Sequence, residues 1–175
     1  MNKFIEVIVE KMRNEGIFTL LVKGQGVAQC YAKPQWRACG DVDLLLSPDN
    51  YDKAKVYLTS IASKIDNEDV RKKHLALTID SWIVELHGAL PFELSSKVDK
   101  VINDAYYDVF FNGNVRTCMN VGTQVFLPSP NNDIIFIFTH YLHHFFIEGV
   151  GLRQICDWCR LLWTYKDSID RDLLQ

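Results

Sequence analysis

The sequence predicts an α+β fold, with a mixed β-sheet, flanking helices and a C-terminal helical pair. Short apolar, β-branched runs that are typical of strands dominate the first part of the chain. Two long helical patterns, separated by glycines at 149 and 151, follow at the end. With 175 residues, 48% hydrophobic and 23% charged, the chain has the composition of an ordinary globular protein.

The elements before residue 90 alternate between helix and strand. Ser47 followed by proline predicts a helix start, because serine caps helix N-termini and proline fits the first turn. Asp80 and Ser81 predict a turn between two strands. The expected helices are 3–14, 25–32 and 48–63, and the expected strands are 17–23, 42–47, 75–79 and 81–87.

The second half is expected to contain one more helix, a group of short strands and the terminal helices. Asn112-Gly113-Asn114 has the composition of a hairpin turn, and the proline pair at 128 and 130 predicts the start of a long helix. The expected helices are 92–104, one of about 16–18 residues from 130, and 152–166. The expected strands are 109–111, 115–119 and 125–126.

The stretch GDVDLLL at 40–46 carries the strongest functional signal. Side chains two apart in a strand point to one face, so Asp41 and Asp43 project together, away from the core. Two such carboxylates repel each other, and a divalent cation would explain their pairing, since Mg²⁺ binds carboxylate and phosphate oxygens. The alternative is a strand edge with two solvated acids. Because the acids repel, the sequence suggests that Asp43→Asn leaves the fold as stable as before.

A third acid lies in another strand-like run, SWIVELH at 81–87. If this strand neighbours the one at 42–47, then Glu85 converges with the two aspartates, and three carboxylates suffice for two Mg²⁺ ions in phosphoryl displacement. His87 shares a face with Glu85 by the same period of two. The alternative for Glu85 is a solvated strand acid.

A glycine-bearing turn follows the first strand. Gly24 permits close backbone approach, amides at a helix N-terminus attract phosphate, and Lys23 adds a cation. The spacing is not that of a Walker loop.

In their order, these pieces resemble the nucleotidyltransferase superfamily of the polymerase β type, and most closely an uncharacterised bacterial branch of nucleotidyltransferase-like proteins. The resemblance covers about residues 20 to 160 and implies a nucleotidyltransferase-like fold. A catalytic core is then expected over 1–127, with a C-terminal helical region over 128–175 packed on it as a single compact unit. The matching segments are KG at 23–24, Arg37, GDVDLL at 40–45, ELH at 85–87, the histidines at 140–144 and GLRQICDW at 151–158.

The resemblance implies Mg²⁺-dependent transfer of a nucleoside monophosphate from an NTP, such as ATP, to an acceptor, with release of pyrophosphate. Asp41, Asp43 and Glu85 would be the catalytic residues and the ligands of two Mg²⁺ ions, with Mn²⁺ as a substitute. The expected nucleotide-binding residues are Lys23, Gly24, Gln25, Arg37 and Gly40. The expected residues of the substrate cleft are His87, His140, His144, Arg153 and Asp157.

Two other functions are left open. One is an inactive nucleotide-binding or partner-binding module on the same scaffold, which is suggested by Gln25 at a position where the superfamily has glycine or serine. The other is a glycosyltransferase that uses the Asp-x-Asp pair to hold a metal and a sugar nucleotide. The identity of the acceptor and the base preference are not readable from the sequence.

Charge and composition limit the classes of binding partner and the cellular location that we expect for the protein. A net charge of −3 provides no basic field for nucleic acid, so we expect a small-molecule acceptor rather than nucleic acid or protein. Without a signal pattern or an apolar run of about 18 residues, we expect no membrane association and a cytoplasmic location. The five cysteines fit a reduced compartment, and Cys156 and Cys159 are expected in the apolar face of a helix rather than in a redox or zinc site.

Overall fold

The computed structural model of the protein describes residues 1–90, 95–147, 149 and 151–174. The chain forms two compact units. The first consists of residues 1–26, 38–89 and 117–127, and the second of residues 27–37, 90–116 and 128–175. This division assigns the segments 27–37 and 90–116 to the same unit as the C-terminal helices, whereas the sequence-based boundary was drawn at 127.

The element order is mixed, and most elements lie where the sequence predicts them. The helices are α1 (Asn2–Asn14), α2 (Gly24–Ala28), α3 (Pro48–Thr59), α4 (Ser96–Phe111), α5 (Pro130–Ile147) and α6 (Leu152–Tyr165), with short 3-10 turns at Pro34–Trp36 and Arg171–Leu174. The strands are β1 (Leu20–Val22), β2 (Asp41–Leu45), β3 (Lys64–Ile65), β4 (His74–Ile79), β5 (Trp82–His87), β6 (Val115–Asn120) and β7 (Thr123–Pro128).

The seven strands form one mixed sheet in the order β3-β4-β5-β2-β1-β7-β6. Strand β2 lies near the middle, antiparallel to β1 and parallel to β5. Strand β4 pairs antiparallel with both β3 and β5, and β1 pairs parallel with β7. The predicted α+β class with a mixed sheet is therefore confirmed.

One face of this sheet forms the core of the first unit. Val42, Leu44, Val84 and Leu86 alternate along β2 and β5 and are buried in it. Helix α1 contributes apolar side chains at helical spacing, and α3 adds Tyr51, Ala54 and Leu58. Because this face is apolar and covered, the polar side chains of β2 and β5 lie on the other face.

The β4–β5 hairpin is closed by a two-residue turn. Asp80 and Ser81 both have positive φ, 48° and 67°, the geometry of the tight turns that match strand twist. The turn pairs Ile79 with Trp82 and so determines the register of the whole hairpin. The predicted turn is confirmed.

Several local predictions are wrong, and one of them is the helix expected over 25–32, which ends at Ala28. Residues 109–111 are the end of α4 rather than a strand, and Asn112 caps that helix. Gly113, with φ 73°, therefore ends a helix instead of turning a hairpin. Helix α3 ends at Thr59, because the chain then turns into the short strand β3. The helix expected over 92–104 corresponds to α4, and its expected start at 92 lies outside the described residues.

The second unit has its own apolar cluster, which joins α2, α5 and α6. Its buried members are Val27, Cys30, Ile134, Ile137 and Leu161. Helix α6 does not bury the face that its sequence suggests. Cys156 and Cys159 are exposed, and the buried positions are instead Asp157 and Leu161. The cysteines are therefore not core residues.

None of the helices in the described residues is long and apolar enough to cross a membrane.

Candidate functional site

The polar face of the sheet carries a row of charged side chains across three strands. Asp41 and Asp43 lie on β2, and Asp43 is the register partner of Glu85 on the parallel strand β5. His87 lies two residues further along β5, opposite Leu45. Since register partners in a sheet share a face, the side chains of Asp43 and Glu85 are direct neighbours.

Lys23 reaches this row from the end of β1. Val22 pairs with Asp43, and the chain then turns sharply, since Lys23 has φ 53° and Gly24 has φ 30°. The turn brings Lys23 Nζ to 2.8 Å from Asp43 Oδ1. Asp43 is nearly inaccessible, with 3% of its side chain exposed, so this ion pair is largely shielded from water.

Two histidines complete the cluster. His87 Nε2 lies 2.9 Å from Asp43 Oδ1 and 3.5 Å from Glu85 Oε2. His74 on β4 lies with its Nε2 3.4 Å from the same Glu85 oxygen, and the two imidazole centroids are 4.9 Å apart. Among the described residues, His74, Glu85 and His87 form the group that offers three metal-ligating atoms within 4.8 Å of one another.

His74 was not among the site residues predicted from the sequence, where it ends the basic segment RKKH at 71–74. The signal was nevertheless present in the turn. A two-residue loop at Asp80 and Ser81 fixes the hairpin register, and counting back along both strands pairs His74 with His87.

The three carboxylates differ in their electrostatics. Burial and the negative charges of Asp43 and Glu85 raise the pKa of Asp41. Burial also opposes ionisation of Asp43, but the charges of Lys23 and His87 outweigh it and lower its pKa to about 2. Hydrogen bonds from His74 and His87 hold the pKa of Glu85 well below its usual range. Asp41 therefore lies in a field of negative charge, whereas the other two acids are stabilised as anions.

The remaining predicted nucleotide-binding residues of the first unit surround the turn after β1. Gly24 begins α2, which has five residues, and a β-carbon at this position would lie 3.5 Å from Cys39 Sγ. Gln25 is buried, with its amide nitrogen 3.9 Å from the sulfur of Met1. Gly40 immediately precedes Asp41 and has open space where a side chain would begin.

The second unit contains the other predicted site residues. Arg37 forms a two-pronged ion pair with Asp157, since its Nε lies 2.8 Å from Oδ1 and its Nη2 contacts Oδ2. The Tyr31 hydroxyl donates to the same carboxylate at 2.7 Å. These three side chains form a largely buried structural network around Asp157.

The other three predicted cleft residues of this unit lie on α5 and α6. His140 and His144 lie on one face of α5 with their Nε2 atoms 3.1 Å apart, and Arg153 is exposed in the first turn of α6.

The cluster on β2 and β5 has the donor set that Mg²⁺ prefers. Asp41, Asp43 and Glu85 supply carboxylate oxygens, and the raised pKa of Asp41 marks an excess of negative charge that a cation would relieve. Lys23 and His87 both contact the same oxygen of Asp43, Oδ1. By their donor atoms, these residues suit a divalent cation.

The chain is similar to a protein-family model and to a solved structure. A family model described as uncharacterised nucleotidyltransferase matches residues 2–175. The crystal structure of an antigenic nucleotidyltransferase-like protein from Paracoccidioides brasiliensis is similar with a TM-score of 0.54 and 15% sequence identity, over 92% of this chain and 74% of that chain. At this identity the structural similarity concerns the fold. Among curated proteins, none matches the chain.

Proposed function

Because the chain belongs to the family of uncharacterised nucleotidyltransferases, we propose that it transfers a nucleoside monophosphate from an NTP to a small acceptor, with Mg²⁺ as cofactor. The family and the fold support a nucleotidyl-transfer role. In the proposed reaction an acceptor oxygen attacks the α-phosphorus. The bond from this phosphorus to the bridging oxygen breaks, pyrophosphate leaves, and the acceptor loses its proton.

The observation that carries this proposal is the register of Asp43 with Glu85 on neighbouring strands. Asp41 lies two residues from Asp43 along β2 and so shares its face of the sheet. Three carboxylates on two adjacent parallel strands offer oxygens from one surface, and such a surface suits a cation that also binds phosphate. Mg²⁺ bound there would neutralise the charge of the triphosphate.

The directions in which their pKa values shift support different roles for Glu85 and Asp41. Glu85 is held ionised by two histidines, so it is a poor proton acceptor and a good metal ligand in this proposal. The raised pKa of Asp41 makes it the better candidate to take the proton that the attacking hydroxyl loses. A bound cation would lower this pKa again.

Lys23, Gly24 and Gly40 would contact the phosphates of the bound NTP in this proposal. Its ammonium group is paired with Asp43, and a cation on that carboxylate would weaken the pair and release Lys23 towards an anionic ligand. Gly24 and Gly40 flank this position in sequence and add no side chain that would keep a phosphate from the backbone. For Arg37, its ion pair with Asp157 supports a structural role more than a direct contact with pyrophosphate.

Binding and turnover should be measured separately. We expect the purified protein to bind a fluorescent NTP analogue only with Mg²⁺ or Mn²⁺, and to release pyrophosphate when hydroxyl-bearing small molecules are added. Asp41→Asn and Glu85→Gln should each abolish the metal-dependent binding of NTP. Glu15→Gln, which removes an exposed charge after α1, serves as the matched control. Failure of the parent protein to bind any NTP would contradict the proposal.

A specific observation favours one alternative, a nucleotide-binding module without turnover. Lys23 and His87 together occupy one oxygen of Asp43, which competes with metal binding at that carboxylate. Metal-dependent NTP binding without pyrophosphate release, for any base and for a broad set of acceptors, would favour this alternative. The family match favours both of these functions over glycosyl transfer.

A further inference from the structure

The hairpin β4–β5 presents two imidazoles and a carboxylate on one face. His74 is the register partner of His87, and Glu85 lies opposite Ala76, two residues along the same strands. Since alternate residues share a face, all three side chains project to the same side of the sheet. The hairpin turn and the ladder fix these positions, so the group is built into the scaffold rather than into a loop.

The spacing of the three side chains suits a shared metal ion as well as it suits the long hydrogen bonds from His74 and His87 to Glu85. Glu85 Oε2 lies 3.4 Å from His74 Nε2 and 3.5 Å from His87 Nε2, beyond the range of about 2.7–3.2 Å for good N–H···O hydrogen bonds. Zinc binds nitrogen and oxygen at about 2.0–2.2 Å, so neighbouring ligands of a tetrahedral ion are about 3.3–3.5 Å apart. These two separations from Glu85 match the edges of such a tetrahedron.

The donor set also separates this group from the carboxylates of β2. Imidazole nitrogens favour transition metals, whereas Mg²⁺ prefers oxygen ligands. The side chains of His74 and Glu85 are 37% and 26% exposed, so an ion has a path to them. We propose that His74, Glu85 and His87 form a binding site for one divalent transition-metal ion, of which Zn²⁺ is the best fit, with a fourth position open.

Binding at this site would change the environment of Asp43. A metal ligand must offer a lone pair, so His87 Nε2 would give up its hydrogen bond to Asp43 Oδ1. Glu85 belongs both to this group and to the carboxylates proposed for Mg²⁺. A bound Zn²⁺ would therefore compete with Mg²⁺ for Glu85. The site itself does not depend on nucleotidyl transfer.

The test uses chelator-washed protein, titrated with Zn²⁺ and, as a spectroscopic probe, with Co²⁺. We expect one ion per chain and the visible absorption of Co²⁺ in a tetrahedral site. His74→Gln should weaken binding at least tenfold and remove that absorption, because it deletes one of three ligands. His140→Gln is the matched control, since His140 and His144 form the other close histidine pair.

Three outcomes would overturn the proposal: no binding of either ion, equal binding by His74→Gln and the parent, or loss of binding only in His140→Gln. Circular dichroism would show whether each variant is folded. Mg²⁺-dependent binding of NTP separates this inference from the proposed function, because His74 is not a proposed ligand of Mg²⁺ or NTP and Glu85 keeps its contact with His87 without it. We expect His74→Gln to keep NTP binding while losing Zn²⁺, whereas failure of the proposed function would remove NTP binding from the parent as well.

Discussion

Lys23 Nζ lies 2.8 Å from Asp43 Oδ1, and this ion pair makes Asp43 a stabilising residue in the metal-free protein. The sequence alone suggested the opposite, because two aspartates on one strand face repel each other. The structure supplies the compensation, with Lys23 from β1 and His87 from β5 bound to the same carboxylate oxygen. The two aspartates of the motif are therefore expected to affect stability in opposite directions.

Asp43→Asn should destabilise the metal-free protein at pH 7 by about 2 kcal/mol. The pKa of Asp43 is lowered from 3.8 to about 2, and each pKa unit corresponds to about 1.4 kcal/mol of stability. A lowered pKa contributes stability above pH 3.8 that is lost as the pH falls through 2. Urea unfolding of parent and variant should thus differ most above pH 4 and converge towards pH 2.

The control for this measurement is Asp52→Asn, since Asp52 on α3 has 73% of its side chain exposed. We expect the control to unfold within about 0.5 kcal/mol of the parent. An Asp43→Asn protein as stable as the parent at pH 7 would show that the ion pair contributes nothing.

Asp41→Asn should stabilise the metal-free protein at pH 7. Burial and the charges of Asp43 and Glu85 raise the pKa of Asp41, so ionising it costs free energy in the folded state. The folded state then holds its proton more tightly than the unfolded chain, and this cost appears as the pH rises above 3.8. The gain in unfolding free energy should disappear at lower pH, where both states are protonated. A loss of stability at pH 7 would contradict this account.

Arg37→Ala should cost about 3 kcal/mol, because it leaves the carboxylate of Asp157 buried without its counter-ion. The two side chains are only 9% and 7% exposed. Arg37→Lys should recover part of this loss, since lysine cannot form the two-pronged contact. A double-mutant cycle with Asp157→Asn is the appropriate measurement. Additive losses in that cycle would mean that the pair does not stabilise the second unit.

Gly40→Ala and Gly88→Ala form a matched pair. A β-carbon at Gly88 would lie 2.7 Å from the Tyr51 ring, whereas one at Gly40 would meet nothing within 4 Å. We expect Gly88→Ala to lower the unfolding free energy by about 1–3 kcal/mol, as overpacking does, and Gly40→Ala to leave it nearly unchanged. Weakened NTP binding by a stable Gly40→Ala protein would then indicate close contact between nucleotide and backbone at that position.

Cys156→Ala and Cys159→Ala should each change stability by less than about 0.5 kcal/mol, because both thiols are exposed. In the native protein both should react quickly with a thiol reagent, and mass spectrometry can locate the labels. Cys30 is the internal control, since it is buried and burial raises its pKa. Rapid labelling of Cys30, or slow labelling of the other two, would contradict the packing of α6.

The elements that depend on local chemistry were predictable from the sequence. The period of two in GDVDLLL placed Asp41 and Asp43 on one face of β2, opposite the core residues Val42 and Leu44. Ser47 caps α3 through its hydroxyl, which accepts a hydrogen bond from the amide of Asn50, as its position before a proline predicts. Strand periodicity and helix caps are set by residues a few positions apart, so their signals survive in a single sequence.

Tertiary structure decided which side chains meet. The parallel pairing of β2 with β5 aligns Asp43 with Glu85, and no local pattern sets the register of strands about 40 residues apart in sequence. Helix α6 shows the same limit, because its apolar pattern pointed to a face with Cys156 and Cys159, whereas the buried face contains Asp157. Arg37 and Tyr31 satisfy that carboxylate from a distant segment. Burial of a charge depends on such partners, and only the folded chain brings them together.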